Sequence, residues 1–140
     1  NIAVQNGTVR DFSATGVLAV NLSFRDTGTQ IAEKLAFENL HFTDLNILHN
    51  GTDSIYYAID QGLSLISNAD LSTLGDVHPD IAFQNVVLER LHVNENFNGL
   101  TTAFGTEISS ADNVMIRDSQ FCKTRGLGSA GLTIWGLNVQ

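Results

Sequence analysis

The chain has 140 residues, 43% of them hydrophobic, and a formal net charge of −8. That is room for one domain, residues 1–140, with a core of its own. The acidic balance and the scatter of the seven Lys and Arg residues exclude the basic patch that nucleic acid needs. No apolar run reaches the roughly 20 residues of a membrane-spanning helix.

In chain order, residues 2–12 begin with an apolar alternation, Ile2 and Val4, that breaks at Asn6 and resumes at Val9. The same frame fits residues 35–45, 81–91 and 114–121, and a clipped copy follows at 137–140. The copies start 33, 46, 33 and 23 residues apart, and self-similarity at such periods marks stacked repeats. Each copy predicts two short strands with a bend between them. Asn6, Asn39, Asn85 and Asp118 take the bend, because Asn and Asp tolerate left-handed backbone at little cost. Stacked at about 4.8 Å, the four would form a ladder of hydrogen-bonded side chains. The same frame predicts two core columns, Phe37/Phe83/Ile116 and Phe42/Leu88/Phe121.

A third strand follows each motif, at residues 16–20, 54–59, 99–104 and 131–135. The loops after it differ most, and an insertion at 60–80 explains the longest spacing; its residues 63–66 and 69–74 could add a further strand or one helical turn.

This pattern resembles the right-handed parallel β-helix of the pectin-lyase-like superfamily, in which an Asn ladder lines the bend between two of three sheets. Residues 113–121 look most like a coil of that family. The resemblance implies an all-β solenoid of about four and a half coils of three short strands, and it covers the whole chain. It selects no activity, since the superfamily includes lyases, hydrolases, tailspikes and adhesins. A β-sandwich or a small α/β domain would leave the common Asn register without a cause.

Polysaccharide-active β-helices hold substrate along the sheet that matches the third strand. Alternation there turns outward Leu18/Val20, Tyr56/Ala58, Thr101/Ala103 and Thr133/Trp135, none of them ionisable. A lyase or hydrolase centre needs an acid and a base within reach of one bond, so no catalytic residue is assigned. Tyr56 and Trp135 are the candidates for stacking on a carbohydrate. Asp11, Asp44, Arg90 and Lys123 share a register in this frame. Asp11 and Asp44 could hold a cation or work as a carboxylate pair. Without a third acid or a histidine, a surface ladder neutralised by the two bases is the simpler reading. His41, His49, His78 and His92 lack metal-ligand spacing, and Cys122 pairs with no base, so neither metal nor cofactor is expected. Asn6, Asn21 and Asn50 begin Asn-x-Ser/Thr triplets.

The first strand and the last both lack a covering repeat, which predicts axial stacking on a second copy or on the rest of a longer β-helix. The reading is therefore a structural or surface module, extracellular or at the cell surface, in a fibre, adhesin or tailspike. The alternative is a segment of a secreted polysaccharide lyase or glycoside hydrolase whose catalytic coils lie elsewhere.

Overall fold

Short apolar alternations bounded by Asn, Asp and Gly favour strands over helices. The computed structural model accordingly is all-β over the residues it describes, 1–21, 36–52, 62–67, 81–98, 104–126 and 130–140. The strands are β1 (Ile2–Arg10), β2 (Val17–Asn21), β3 (Phe37–Leu48), β4 (Gly51–Thr52) and β5 (Leu63–Ser67). They continue as β6 (Phe83–Asn94), β7 (Phe97–Asn98), β8 (Phe104–Arg117), β9 (Gln120–Cys122) and β10 (Ala130–Val139). Every pairing among them is parallel.

Two lines of pairing meet in β8. One runs β1–β3–β6–β8 and the other β2–β5–β8, while β10 follows β8 along both. On the first line Ile2, Leu40, Val86, Val114 and Val139 fall in one register, and Val4, Phe42, Leu88 and Ile116 in another. On the second, Val17 faces Leu63, which faces Thr106, with Leu132 beyond. Side chains from both lines share one buried cluster that includes Leu40, Phe42, Leu63, Leu65, Phe83, Leu88 and Ile108.

The long strands contain corners. Phe42 and Leu45 are both buried although they stand three apart, a spacing that puts side chains on opposite faces of a straight strand. Asp44 lies between them with φ of 55°, and this left-handed residue restarts the alternation. Arg90, at φ 52°, does the same between Leu88 and Leu91. Corners recur every five residues, at Asn39, Asp44 and His49, at Asn85, Arg90 and Glu95, and at Asn113, Asp118 and Lys123. Asn6 and Asp11 make the corners of the first strand, and Asn138 that of the last.

This five-residue unit corrects the predicted frame. Pairing of Ile2 with Leu40 sets Asn6 beside Asp44, and Arg90 takes Asp118, so the first and fourth copies sit one corner away from their expected place. The expected column of Phe37, Phe83 and Ile116 is instead Phe37, Phe83 and Ala111, with the two rings edge to face at 5.9 Å. Phe121 leaves the Phe42/Leu88 column and joins Val93 and Ile47. A slip of five residues preserves the apolar alternation, so the pattern alone does not choose between the two frames.

The expected third strands at 16–20 and 131–135 fall in β2 and β10. β5 lies in the stretch assigned to the insertion, because Leu63 and Leu65 match the inward pair Val17 and Ala19. Residues 54–59, including Tyr56, lie outside the described residues, as does most of 60–80.

Candidate functional site

The corner residues stand in three columns, and each column has its own chemistry. The first is an amide ladder. The Nδ2 of Asn39 donates to Asn1 Oδ1 at 2.8 Å, that of Asn85 to Asn39 Oδ1 at 3.1 Å, and that of Asn113 to Asn85 Oδ1 at 2.8 Å. Asn39 and Asn85 thus lie one above the other. Asn6 and Asp118, expected beside them, belong to the second column, and Asn1 and Asn113 take their places.

The second column holds Asn6, Asp44, Arg90 and Asp118. Arg90 grips Asp44 with two bonds, Nε to Oδ1 at 2.6 Å and Nη2 to Oδ2 at 2.7 Å. Arg90 also donates to Glu89, whose other oxygen accepts from Arg117 Nη2 at 2.7 Å. The guanidinium holds the Asp44 carboxyl below its usual range, and the carboxylate in turn raises Arg90.

The third column holds Asp11, His49, Glu95 and Lys123, each at positive φ. His49 Nδ1 lies 3.7 Å from Asp11 Oδ1, and its Nε2 meets Glu95 Oε2. Lys123 Nζ donates to Glu95 Oε1 at 2.8 Å. The Lys123 bond, then that of His49, keeps the Glu95 carboxyl below its usual range, while Glu95 raises Lys123. Asp11 and Asp44 therefore form no pair. They stand in different columns, and each faces its own base.

One residue past His49 and Glu95 the side chains turn inward and become dry. Asn50 and Asn96 are both fully buried. Asn96 Oδ1 accepts the backbone N–H and the Nδ2 of Asn50, both at 2.9 Å, and Asn96 Nδ2 donates to the Ile47 carbonyl at 3.1 Å. Asn50 Oδ1 receives the Phe12 N–H at 3.2 Å. These amides replace strand bonds where the backbone turns, which satisfies groups that would otherwise be buried unpaired. Gly16 packs against them, and a Cβ there would come within 2.7 Å of Asn50 Nδ2. Burial also removes Asn50 and Asn21 as glycosylation acceptors, whereas Asn6 is exposed.

The buried amides and the third column are the features that sequence reasoning missed. Their signal is the five-residue recurrence of Asn39, Asp44 and His49 followed at once by Asn50, repeated as Asn85, Arg90, Glu95 and Asn96. The Trp135 backbone is in β10, opposite Ser109, and its side chain lies outside the described residues. The backbones of Leu18, Ser64, Glu107 and Thr133 share one register, in which Ser64 is buried. An ionisable residue thus falls in a line expected to have none.

His49, Glu95, Lys123 and Arg125 line a cavity of about 580 Å³ at the end of the third column. The Arg125 backbone N–H is tied to the Asn96 carbonyl at 3.1 Å, so the rim is anchored to the buried amides. Among the described residues, no three His, Cys, Asp or Glu side chains converge as metal ligands. No protein-family model matches this chain, and no curated protein or solved structure shows significant similarity to it.

Proposed function

We propose that the chain is a right-handed parallel β-helix acting as a structural or surface module, extracellular or at a cell surface. One observation carries the reading. A single register passes through β1, β3, β6 and β8 and reaches β10 beyond a bulge between Trp135 and Gly136, with corner residues aligned in columns along the pairing. Parallel strands joined in this way bury one continuous core and present a regular array of side chains outside it. The resemblance to pectin-lyase-like solenoids rests on the same repetition.

Axial stacking belongs to this reading. The edge of β1 away from β3 has no partner among the described residues, and Ile2 and Phe12 are 49% and 55% exposed there. A further coil, from a second copy or a longer chain, would cover both. Sedimentation and electron micrographs of the purified chain test this: Val4→Lys should abolish association and preserve the far-ultraviolet spectrum. Wild-type chain that stays monomeric at high concentration overturns stacking.

Glu107, in backbone register with Ser64 and Thr133, favours the runner-up, a segment of a polysaccharide lyase or glycoside hydrolase, because it brings an ionisable residue to the strand line matched to the substrate-bearing sheet. Incubation with neutral and acidic polysaccharides, followed by an assay for new reducing ends, separates the two readings. The structural module releases none, and release that Glu107→Gln abolishes would replace it with the enzyme.

A further inference from the structure

The triplet Asn-Gly-Thr occurs twice in the chain, at 6–8 and at 50–52, and the two copies meet opposite surroundings. Asn50 is fully buried and its amide is bonded through both ends. Its Nδ2 donates to Asn96 Oδ1 at 2.9 Å, and its Oδ1 accepts the Phe12 N–H at 3.2 Å. The Gly51 N–H is committed to the Phe12 carbonyl at 2.9 Å. Asn6 is instead exposed, at a left-handed corner with φ of 57°, and its side chain makes no hydrogen bond among the described residues. Gly7 is exposed as well, and a Cβ there would meet only Leu45 Cδ2, at 3.9 Å. Having no Cβ, glycine leaves its own amide nitrogen less shielded than any other residue does.

We propose that Asn6 is a site of self-modification, an intramolecular deamidation from which Asn50 is protected. The Gly7 backbone nitrogen attacks the Asn6 side-chain carbonyl carbon. As the new C–N bond closes a succinimide ring, the bond to Nδ2 breaks and ammonia leaves, carrying the Gly7 amide proton. Solvent water then opens the ring at either carbonyl, giving aspartate or isoaspartate. The reaction needs a free side-chain amide and an unshielded neighbouring nitrogen, and Asn50 offers neither until its corner opens. Both products act on the first coil. Asn6 stands beside Asp44, between the pairs Gln5–Thr43 and Gly7–Leu45, so an aspartate at 6 meets a like charge. Isoaspartate adds a methylene to the backbone where β1 turns. The first coil is thus the part of the stack that loosens with age.

Peptide mapping by mass spectrometry of the chain incubated at pH 8 is the test, with a urea-unfolded sample run in parallel. Unfolded, the two identical triplets should convert at similar rates. Folded, Asn6 should convert about tenfold or more faster than Asn50. Gly7→Ala, for which the fold has room, should slow Asn6 by about tenfold or more and leave Asn50 unchanged. Equal rates at the two sites in the folded chain would overturn the proposal. So would an Asn6 that stays intact while the unfolded chain converts, or one whose rate is indifferent to Gly7→Ala.

Discussion

Glu95 and Asn96 are neighbours in sequence, yet they belong to opposite kinds of column. Glu95 points outward and exchanges bonds with Lys123 and His49 in water. Asn96 points inward, fully buried, and bonds Asn50 and the Ile47 carbonyl. The contacts are equally short, but water can replace only the outer ones. A broken bond in the dry column leaves a polar group with no substitute, whereas a broken surface pair is re-solvated at small cost. The exposed columns can therefore vary, while the buried amides hold the corner itself.

The largest expected effect lies deepest. Phe83→Ala removes a fully buried ring and should cost about 3 to 5 kcal/mol in chemical denaturation, with an unchanged midpoint contradicting the register. Asn96→Ala tests the dry column directly. It strips the Asn50 amide and N–H of their acceptor, so a loss of about 1 to 3 kcal/mol is expected. Thermal melts of Asp44→Asn, which breaks an exposed pair of similar geometry, should shift far less. If the two variants melt together, burial is not what separates the columns.

Two buried hydroxyls sharpen the contrast in the opposite direction. Thr106 Oγ1 and Thr124 Oγ1 are buried without a hydrogen-bond partner. Thr106 lies in register with Leu63 and Leu132, so Thr106→Val should stabilise the fold by up to about 1 kcal/mol. Thr124 follows Lys123, as Asn96 follows Glu95, and Thr124→Asn would continue the amide column by one step. A gain of about 1 kcal/mol in urea titrations is expected, and a loss would mean that the column cannot extend.

The smallest effects are those of pH. Asp44 and Glu95 have depressed pKa values in the fold, so their contribution is present above the unfolded value, about 4, and disappears as pH falls through the folded one. Lys123 is raised, so its share is present below its unfolded value, about 10.4, and disappears as pH rises through the folded one. Melting temperatures of Glu95→Gln across pH 2 to 6 should fall less steeply than those of wild type. Identical slopes would show that Glu95 contributes nothing to acid lability.

The strands and the alignment of Asn39 over Asn85 were legible because alternation and the tolerance of Asn for left-handed backbone are local properties. The placement of Asn6, Asp118, Asp11 and Lys123 was not. Each five-residue leg repeats the same apolar pattern, so shifting by one leg changes no local preference, and only long-range burial chooses the register. The inward turn of Asn50 was equally hidden, because Asn-Gly-Thr looks the same in water as in a core. A further strand at 63–66 was legible as an option, but its pairing with β2 and β8 was hidden because its alternation, Leu63 and Leu65, is only two residues deep. The cavity joins Lys123 and Arg125 to His49 and Glu95 across distant segments, a juxtaposition that only strand pairing creates.

Parallel pairing with these separations has a kinetic consequence. The amide ladder joins residues 38, 46 and 28 positions apart, and no hairpin brings two of the described strands together locally. Each contact closes a long loop before it returns any stability, so folding should fall in the millisecond-to-second range typical of high contact order. On a ribosome the first strand would emerge well before its partner. For that interval Val4 and Val9 would depend on the speed of synthesis, or on a chaperone, to stay unaggregated.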